Sequence, residues 1–119
     1  MTLSSAQPTG DSPSGVERRK QARRSVRLRA LVLLPDDQLL NGHTIDLSVG
    51  GACLSAPHQL LVGDECRLQL ELEAVGTKRR ALLVSRVCYC VPQGDGFRVG
   101  LQFVQVSPED AQLLEMLLN

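Results

Sequence analysis

The sequence predicts an all-β fold with one C-terminal helix, in the form of a small six-stranded antiparallel β-barrel. Three features of the 119-residue chain support this fold class. Short runs with the two-residue period of β-strands recur from Val26 onward, turn-forming residues separate them, and the chain ends in a segment with helical periodicity. Closing such a sheet into a barrel removes its exposed edges.

Apolar residues alternate with polar ones in the predicted strands. In LQLELE at residues 68–73, the leucines share one face while Gln69, Glu71 and Glu73 share the other. A sheet with one buried and one solvated face requires this alternation. The runs with strand character are VRLRALVLL at 26–34, LQLELE at 68–73, ALLVSRVCYCV at 81–91 and FRVGLQFV at 97–104.

Turn-forming residues lie between the predicted strands. Glycine, proline, asparagine and aspartate dominate tight turns, because each accepts or stabilises the backbone angles that a turn needs. Short segments rich in these residues therefore predict the connections. The segments are PDD at 35–37, NG at 41–42, VGD at 62–64, VGT at 75–77 and QGDG at 93–96.

The segment SPEDAQLLEMLLN at 107–119 has the features of an amphipathic helix. Ser107 is placed as the N-cap and Pro108 as the first helical residue. Glu109 and Asp110 favour the positive end of the helix dipole. The leucines that follow form an apolar stripe at helical spacing, so we expect this helix to cover the barrel.

Positive charge is concentrated near the start of a chain with no net charge. Residues 18–29 hold 7 of the 13 lysines and arginines and no acidic residue, which leaves 6 basic against 13 acidic residues elsewhere. Before this arginine arm, residues 1–16 are rich in Ser, Pro and Gly, a composition typical of disorder. We therefore predict a disordered N-terminal tail at 1–16 and one domain at 17–119.

Neither a membrane span nor a signal peptide is expected. No apolar run approaches the roughly 20 residues that a transmembrane helix needs. The opening MTLSSAQPTG lacks the basic start and apolar middle of a secretory signal. These features predict a cytoplasmic protein.

The chain offers little for catalysis or metal binding. Its four cysteines include one close pair, CYC at 88–90, without the CxxC spacing of zinc sites. His43 has Asp46 and Ser48 close to it in sequence, but three residues of one strand and loop rarely assemble a triad. We therefore expect no catalytic residue, no metal site, no cofactor and no enzyme activity.

The arginine arm has two interpretations. It can be a solvated basic linker that the acidic remainder of the chain neutralises. It can also be a clamp for phosphates or guanines, since a guanidinium matches phosphate bidentately, pairs with guanine O6 and N7, and stacks on purine faces.

The segment TIDLSVGGACL at 44–54 also has two interpretations. Asp46 and Ser48 are one pleat apart, so a carboxylate and a hydroxyl share one side, where they could bind guanine donors and phosphate. Gly50 and Gly51 permit positive φ or the close approach of another molecule. Taken alone, the segment is also explained by an Asx-type turn with a bulge.

Together, these two segments resemble the PilZ domain, a bacterial receptor for cyclic di-GMP. The final strand and helix, RVGLQFVQVSPEDAQLLEMLL, look similar as well, so the resemblance covers roughly residues 17–118. Arg19 and Arg23 match the family's RxxxR motif, and Arg18 matches the arginine often found before it. Asp46, Ser48 and Gly51 match the D/NxSxxG motif.

The resemblance implies a cyclic di-GMP receptor or adaptor in bacterial second-messenger signalling. The arm would wrap around the ligand, the DxSxxG loop would complete the pocket, and an unidentified effector protein would respond, in control of motility, pili, biofilm or virulence. Arg18 implies an intercalated pair of ligand molecules, because four phosphates demand more positive charge than two. The ligand-binding residues implied are Arg18, Arg19, Arg23, Arg24, Asp46, Ser48, Gly50 and Gly51.

The sequence is also compatible with two alternatives. The first is a basic-armed barrel that binds nucleic acid, which also suits phosphate contacts. One tyrosine, two phenylalanines and no tryptophan leave few stacking platforms for it, and the acidic remainder would repel a long polyanion. The second is a PilZ-like protein-interaction module that no longer binds a nucleotide.

Overall fold

The computed structural model of the chain describes residues 23–74 and 76–118. Within these ranges, seven strands precede one helix. Short connections join the strands, except for a longer loop between β4 and β5. The elements are β1 (Arg24–Ser25), β2 (Arg29–Leu33), β3 (Leu39–Leu47), β4 (Gly51–Ala56), β5 (Glu65–Ala74), β6 (Thr77–Gln93), β7 (Gly96–Gln105) and α1 (Pro108–Leu118).

Six of the strands close into an antiparallel barrel, which confirms the predicted fold class. The hydrogen-bonded order is β3-β2-β5-β6-β7-β4, and β4 pairs again with β3. The short β1 lies outside this ring and pairs with the end of β3, where Arg24 faces Leu47 and Ser25 faces Asp46. The arginine arm therefore enters the barrel beside the segment that carries the second motif.

The core follows from the strand alternation. Leu68, Leu70 and Leu72 of β5 are all buried, as the sequence pattern predicts. Inward residues of the other strands meet them, and burial of this apolar surface is the main force that holds the barrel together. The large side chains that are fully buried include Leu47, Leu54, Leu68, Leu70, Leu83, Leu114, Val32, Val87 and Val99.

The C-terminal helix covers the barrel as predicted, and Leu114 is its buried anchor. The Ser107 hydroxyl accepts a hydrogen bond from the Asp110 amide at 3.1 Å, which confirms the predicted N-cap. At the same end, the Asp110 carboxylate accepts from the backbone N–H of Leu82 on β6 at 3.2 Å. At the other end, Arg24 donates to the carbonyl of Leu117 at 3.0 Å.

The predicted turn at Asn41–Gly42 is wrong, because both residues lie inside β3. They pair with Leu31 and Ala30 of β2. A Cβ at Gly42 would lie 2.3 Å from the carbonyl oxygen of Ser55, so glycine is present here to let β4 approach closely. Pairing with β2 outweighs the local turn preference of Asn-Gly.

The first long strand begins at Arg29, three residues later than the sequence pattern predicts. Residues 26–28 do not belong to this strand, and the buried side chain of Thr44 holds them in place instead. Its hydroxyl accepts from the amide of Leu28 at 2.8 Å and donates to the carbonyl of Val26. One buried hydroxyl thus satisfies two backbone groups that strand pairing would otherwise satisfy.

No helix in the part of the chain described by the structure is long and apolar enough to cross a membrane. The predicted tail at 1–16 lies outside the described residues and stays a prediction.

Candidate functional site

A surface hollow of about 360 Å³ lies between the β3–β4 loop and strands β6 and β7. This volume is within the range of roughly 300 to 1,000 Å³ that small-molecule sites occupy. Its lining includes four of the residues that the sequence predicts to bind ligand. The lining residues are Arg23, Ser48, Gly50, Gly51, Ala52, Cys88, Tyr89, Gly100, Leu101, Gln102 and Phe103.

A second hollow of about 500 Å³ lies near the β2–β3 turn. Its lining contains Asp37, Glu65 and Arg67 among apolar residues, and none of the predicted ligand residues. Two carboxylates against one guanidinium make it a poor site for an anionic ligand. The hollow beside Arg23 is therefore the candidate functional site.

Arg23, which lines the candidate site, forms an ion pair with Asp46, which lies 23 residues later in sequence and outside the lining. Arg23 donates from Nη1 to Oδ1 of Asp46 at 2.7 Å. The Arg23 side chain is 60% exposed and the Asp46 side chain 19%. An exposed pair of this kind contributes about 0.2–1 kcal/mol to stability. Because a guanidinium has five N–H donors, Arg23 keeps donors for a ligand while this pair holds it in place.

Ser48 shapes the β3–β4 loop from within. Its buried hydroxyl accepts from the amides of Gly50 at 3.2 Å and Gly51 at 3.1 Å, and donates to the Gly51 carbonyl at 3.3 Å. Two accepted bonds and one donated bond use the full capacity of a hydroxyl. Ser48 thus lines the site, but a direct bond to a ligand requires replacing one of these loop bonds.

The two glycines of the loop serve the packing of β4 and β7. A Cβ at Gly51 would lie 2.4 Å from the carbonyl oxygen of Leu101, so only glycine permits this close pairing. Gly50 accepts from the amide of Phe103 at 2.9 Å. Neither glycine has a positive φ. The sequence analysis expected positive φ or the approach of another molecule at these glycines, whereas the close approach at Gly51 is that of strand β7 of the same chain.

The remaining predicted ligand residues divide into two groups. Arg18 and Arg19 lie outside the described residues. Arg24 is exposed and directs its guanidinium to the Leu117 carbonyl at the end of the helix, so it does not line the candidate site. Its predicted contact with ligand stays a prediction.

The far wall of the site comes from residues that the sequence analysis missed. Cys88 and Tyr89 lie on β6, and Gln102 lies on β7 opposite Gly51. No motif marks them, because barrel closure decides which strands border the loop. The one available signal was that Tyr89 is the only tyrosine of the chain, a residue type that often lies half exposed at binding surfaces.

Tyr89 is held at its hydroxyl end. This hydroxyl donates to the thiol sulfur of Cys53 at 3.3 Å. The hydrogen bond, with a further effect of burial, raises the pKa of Tyr89 above the ordinary value of a phenol. The ring is therefore neutral at physiological pH.

Nothing in residues 23–74 and 76–118 forms a group of His, Cys, Asp and Glu side chains that could hold a metal ion. The predicted absence of catalysis and of a cofactor stays a prediction.

The family model of the PilZ domain matches residues 17–119. The chain belongs to the PilZ domain family. Among curated proteins, none is similar enough to this PilZ domain to serve as a relative.

Solved structures share the fold. The Bacillus subtilis inhibitor of motility MotI/DgrA aligns with a TM-score of 0.73 and 18% identity, covering 82% of this chain and 48% of that one. Escherichia coli YcgR in complex with c-di-GMP aligns with a TM-score of 0.69 and 20% identity, covering 85% and 44%. The PilZ domain of YcgR with c-di-GMP aligns at 0.66 and 19%, covering 84% and 88%. The chain thus spans about half the length of the first two proteins.

Proposed function

We propose that this PilZ domain is a receptor for cyclic di-GMP, which binds between the arginine arm and the β3–β4 loop. The observation that carries the proposal is the meeting of the two motifs at one hollow. Arg23 of the RxxxR motif lines a hollow of about 360 Å³ together with Ser48 and Gly51 of the D/NxSxxG motif. Its Nη1 lies 2.7 Å from Oδ1 of Asp46, the remaining residue of that motif, which is outside the lining. In two aligned solved structures, PilZ proteins hold c-di-GMP.

The chemistry of the site suits a dianionic ligand with two guanines. The free N–H groups of Arg23 offer a fork to a phosphate or to the O6 and N7 edge of a guanine. Asp46 offers a carboxylate that can accept from guanine N1 and N2. Arg18 and Arg19 would supply further cationic groups to the phosphates. Ser48 and the loop glycines fix the backbone against which the ligand lies.

The proposed mechanism is a conformational change of the arginine arm rather than a chemical reaction. Ligand phosphates would draw the arginine arm onto the barrel and change the surface offered to an effector protein. The ion pair with Asp46 already holds Arg23 beside the β3–β4 loop. The proposed conformational change therefore involves the arm residues before Arg23. The proposal includes a cytoplasmic role in the control of motility, pili, biofilm or virulence.

Calorimetric titration of the full chain with cyclic di-GMP tests this proposal, with GTP as the competing guanine nucleotide. We expect selective binding of cyclic di-GMP. Substitution Arg23→Ala should weaken it roughly 5- to 150-fold, since one good bidentate guanine contact is worth about 1–3 kcal/mol.

Arg86→Ala is the matched control. Arg86 is also an exposed arginine in an ion pair, with Glu65 at 3.2 Å, but it does not line the candidate site. We expect this variant to bind within about twofold of the wild type, because exposed ion pairs contribute little. Absence of binding by the wild type would favour a PilZ-like interaction module without nucleotide. Salt-sensitive binding of generic DNA without preference for cyclic di-GMP would favour the nucleic-acid alternative.

A further inference from the structure

One edge of the sheet is open within the part of the chain that the structure describes. Strand β6 pairs with β5 from Thr77 to Arg86, but its pairing with β7 begins only at Val84. Among the described strands, residues 77–83 therefore have a partner on one side alone. An open edge of this kind presents N–H and C=O groups that can bind a further strand.

Two hydrogen bonds determine which backbone groups of β6 point to the open edge. Val87 donates from its backbone N–H to the carbonyl of the residue before β5 at 2.9 Å, so this N–H points to the β5 side. Leu82 donates to the Asp110 carboxylate of the helix at 3.2 Å, on the open side. Because N–H groups alternate between the two sides of a strand, the even-numbered residues of this stretch point to the open edge. The amides of Lys78 and Arg80 therefore point outward.

The side chains along this open edge are mainly cationic. Lys78, Arg79 and Arg80 are all exposed, and none of them forms an ion pair with a residue that the structure describes. Two glutamates of β5 stand opposite Lys78 and Arg80 in the strand register without closing such a pair. Leu82, which is 54% exposed, continues the row on the same face as Lys78 and Arg80. The edge thus presents two cations followed by one apolar side chain.

This charge pattern selects among the possible occupants of the open edge. A second copy that offered its own β6 would set cations against cations, which destabilises a strand pair. The arginine arm would do the same. A second copy that offered the acidic edge of β5 would join unlike edges, and such contacts produce open-ended assemblies. An acidic strand of another protein has neither disadvantage, because its carboxylates would flank the cations on their free side.

We propose that the open edge of β6 binds an extended acidic segment of a partner protein by strand addition. The segment's backbone would bond the outward N–H and C=O groups of Lys78 and Arg80, and its acidic side chains would lie opposite these two residues. The Leu82 amide is already bonded to Asp110, so an apolar side chain of the segment makes the contact there. In antiparallel pairing the segment reads apolar-x-acidic-x-acidic. These residues are outside the lining of the candidate site, and the inference does not depend on cyclic di-GMP.

Amide hydrogen exchange of the full chain, followed by NMR, tests the proposal. The probe is the end-blocked synthetic peptide Thr-Val-Thr-Glu-Thr-Glu-Thr, and the control peptide has lysine in place of both glutamates. In the free chain, the Lys78 and Arg80 amides should exchange faster than those of Arg79 and Ala81, which point to β5. With the acidic peptide at about ten times its Kd, exchange at Lys78 and Arg80 should slow roughly tenfold, since it then proceeds from the unbound fraction. The lysine peptide should have no effect.

Two variants of one residue separate the backbone contact from the charge. Arg80→Pro removes the outward N–H and keeps every backbone bond to β5, so it should abolish binding of the acidic peptide. Arg80→Gln keeps that N–H, and loss of one cross-strand charge pair should weaken binding only about 1.4- to 5-fold. Arg67→Gln is the matched control, because Arg67 is an exposed arginine on β5 with β2 and β6 on either side. This variant should bind the peptide like the wild type.

Three results would overturn the inference and leave the receptor proposal standing. Slow exchange of the Lys78 and Arg80 amides in the free chain would mean that residues before Arg23 or a second copy already cover the edge, and dilution distinguishes these two. Equal effects of the two peptides, or no effect of either, would contradict an acidic occupant. Binding of the acidic peptide by folded Arg80→Pro at wild-type strength would exclude strand addition. If that variant fails to fold, the exchange data on the wild type still decide the question.

Discussion

At the scale of single residues, the four cysteines have the same side chain but differ in exposure, hydrogen bonding and pKa. Cys88 is exposed in the lining of the candidate site, while Cys53 is buried and bonded to the Tyr89 hydroxyl. Cys90 accepts from the amide of Leu60 at 3.4 Å. Cys66 is buried, and burial, followed by the charges of Asp64 and Glu65, raises its pKa from 9.0 to about 11. Cys66 should therefore be a poorly reactive thiol at neutral pH.

The raised pKa of Cys66 predicts a loss of stability at alkaline pH. Between about pH 9 and pH 11 the folded chain keeps the thiol proton while the unfolded chain releases it, so the free energy of unfolding should fall as pH rises through this interval. Below pH 9 the effect should be absent. Urea denaturation at pH 7, 9 and 10 measures it, and Cys66→Ala should show a shallower alkaline decline. Equal slopes in the variant and the wild type would contradict this assignment.

At the scale of elements, the helix is tied to the barrel at both ends by polar contacts as well as by Leu114. The last turn of α1 contains no basic residue of its own. Arg24 of β1 supplies the positive charge there through its bond to the Leu117 carbonyl. This contact links the arginine arm to the C-terminal helix. It offers a route by which ordering of the arm could reach the helix.

We predict that Arg24→Gln loosens the end of the helix more than it weakens ligand binding. Loss of a cation at a helix C-terminus costs about 0.3–1 kcal/mol at an exposed site. Hydrogen exchange of the last-turn amides should accelerate accordingly. Arg27→Gln, a change at another exposed arginine nearby, should leave this exchange rate unaltered.

The same variant tests the sequence-based assignment of Arg24 as a ligand residue. If Arg24→Gln abolished cyclic di-GMP binding without altering exchange in the helix, the ligand contact would be its main role, and the helix contact would be secondary.

At the scale of the whole molecule, charge is segregated between the arm and the body. Residues 18–29 carry 7 of 13 basic residues, and the remainder carries 13 acidic against 6 basic. Within the described residues, β1 is the part of the arm that pairs with the end of β3, beside the β3–β4 loop. A short dianion can therefore meet the arm, whereas a long polyanion would extend along an acidic surface.

This surplus of positive charge predicts two cyclic di-GMP molecules per chain, bound as an intercalated pair. Two molecules bring four phosphates, which the extra arginine at position 18 would help to neutralise. The calorimetric stoichiometry should be close to two and should fall toward one in Arg18→Ala. A wild-type value near one would remove the prediction.

Much of this protein was determined by the sequence itself. Alternation in LQLELE fixed which face of β5 is buried, and Ser107 with Pro108 fixed where the helix begins. These features depend on neighbours within a few residues, which a sequence displays directly. The two motifs by themselves also indicate the family.

Only the tertiary structure decided which distant residues meet. It placed Gly42 inside a strand, directed Arg24 to the helix, gave the Ser48 hydroxyl to the loop, and brought Tyr89 over Gly100 beside the second motif. The physical reason is that local pattern sets which face of a strand is apolar, while barrel closure sets which strands become neighbours. Pairing of β4 with β7, two strands far apart in sequence, therefore placed the wall formed by β6 and β7 beside the second motif.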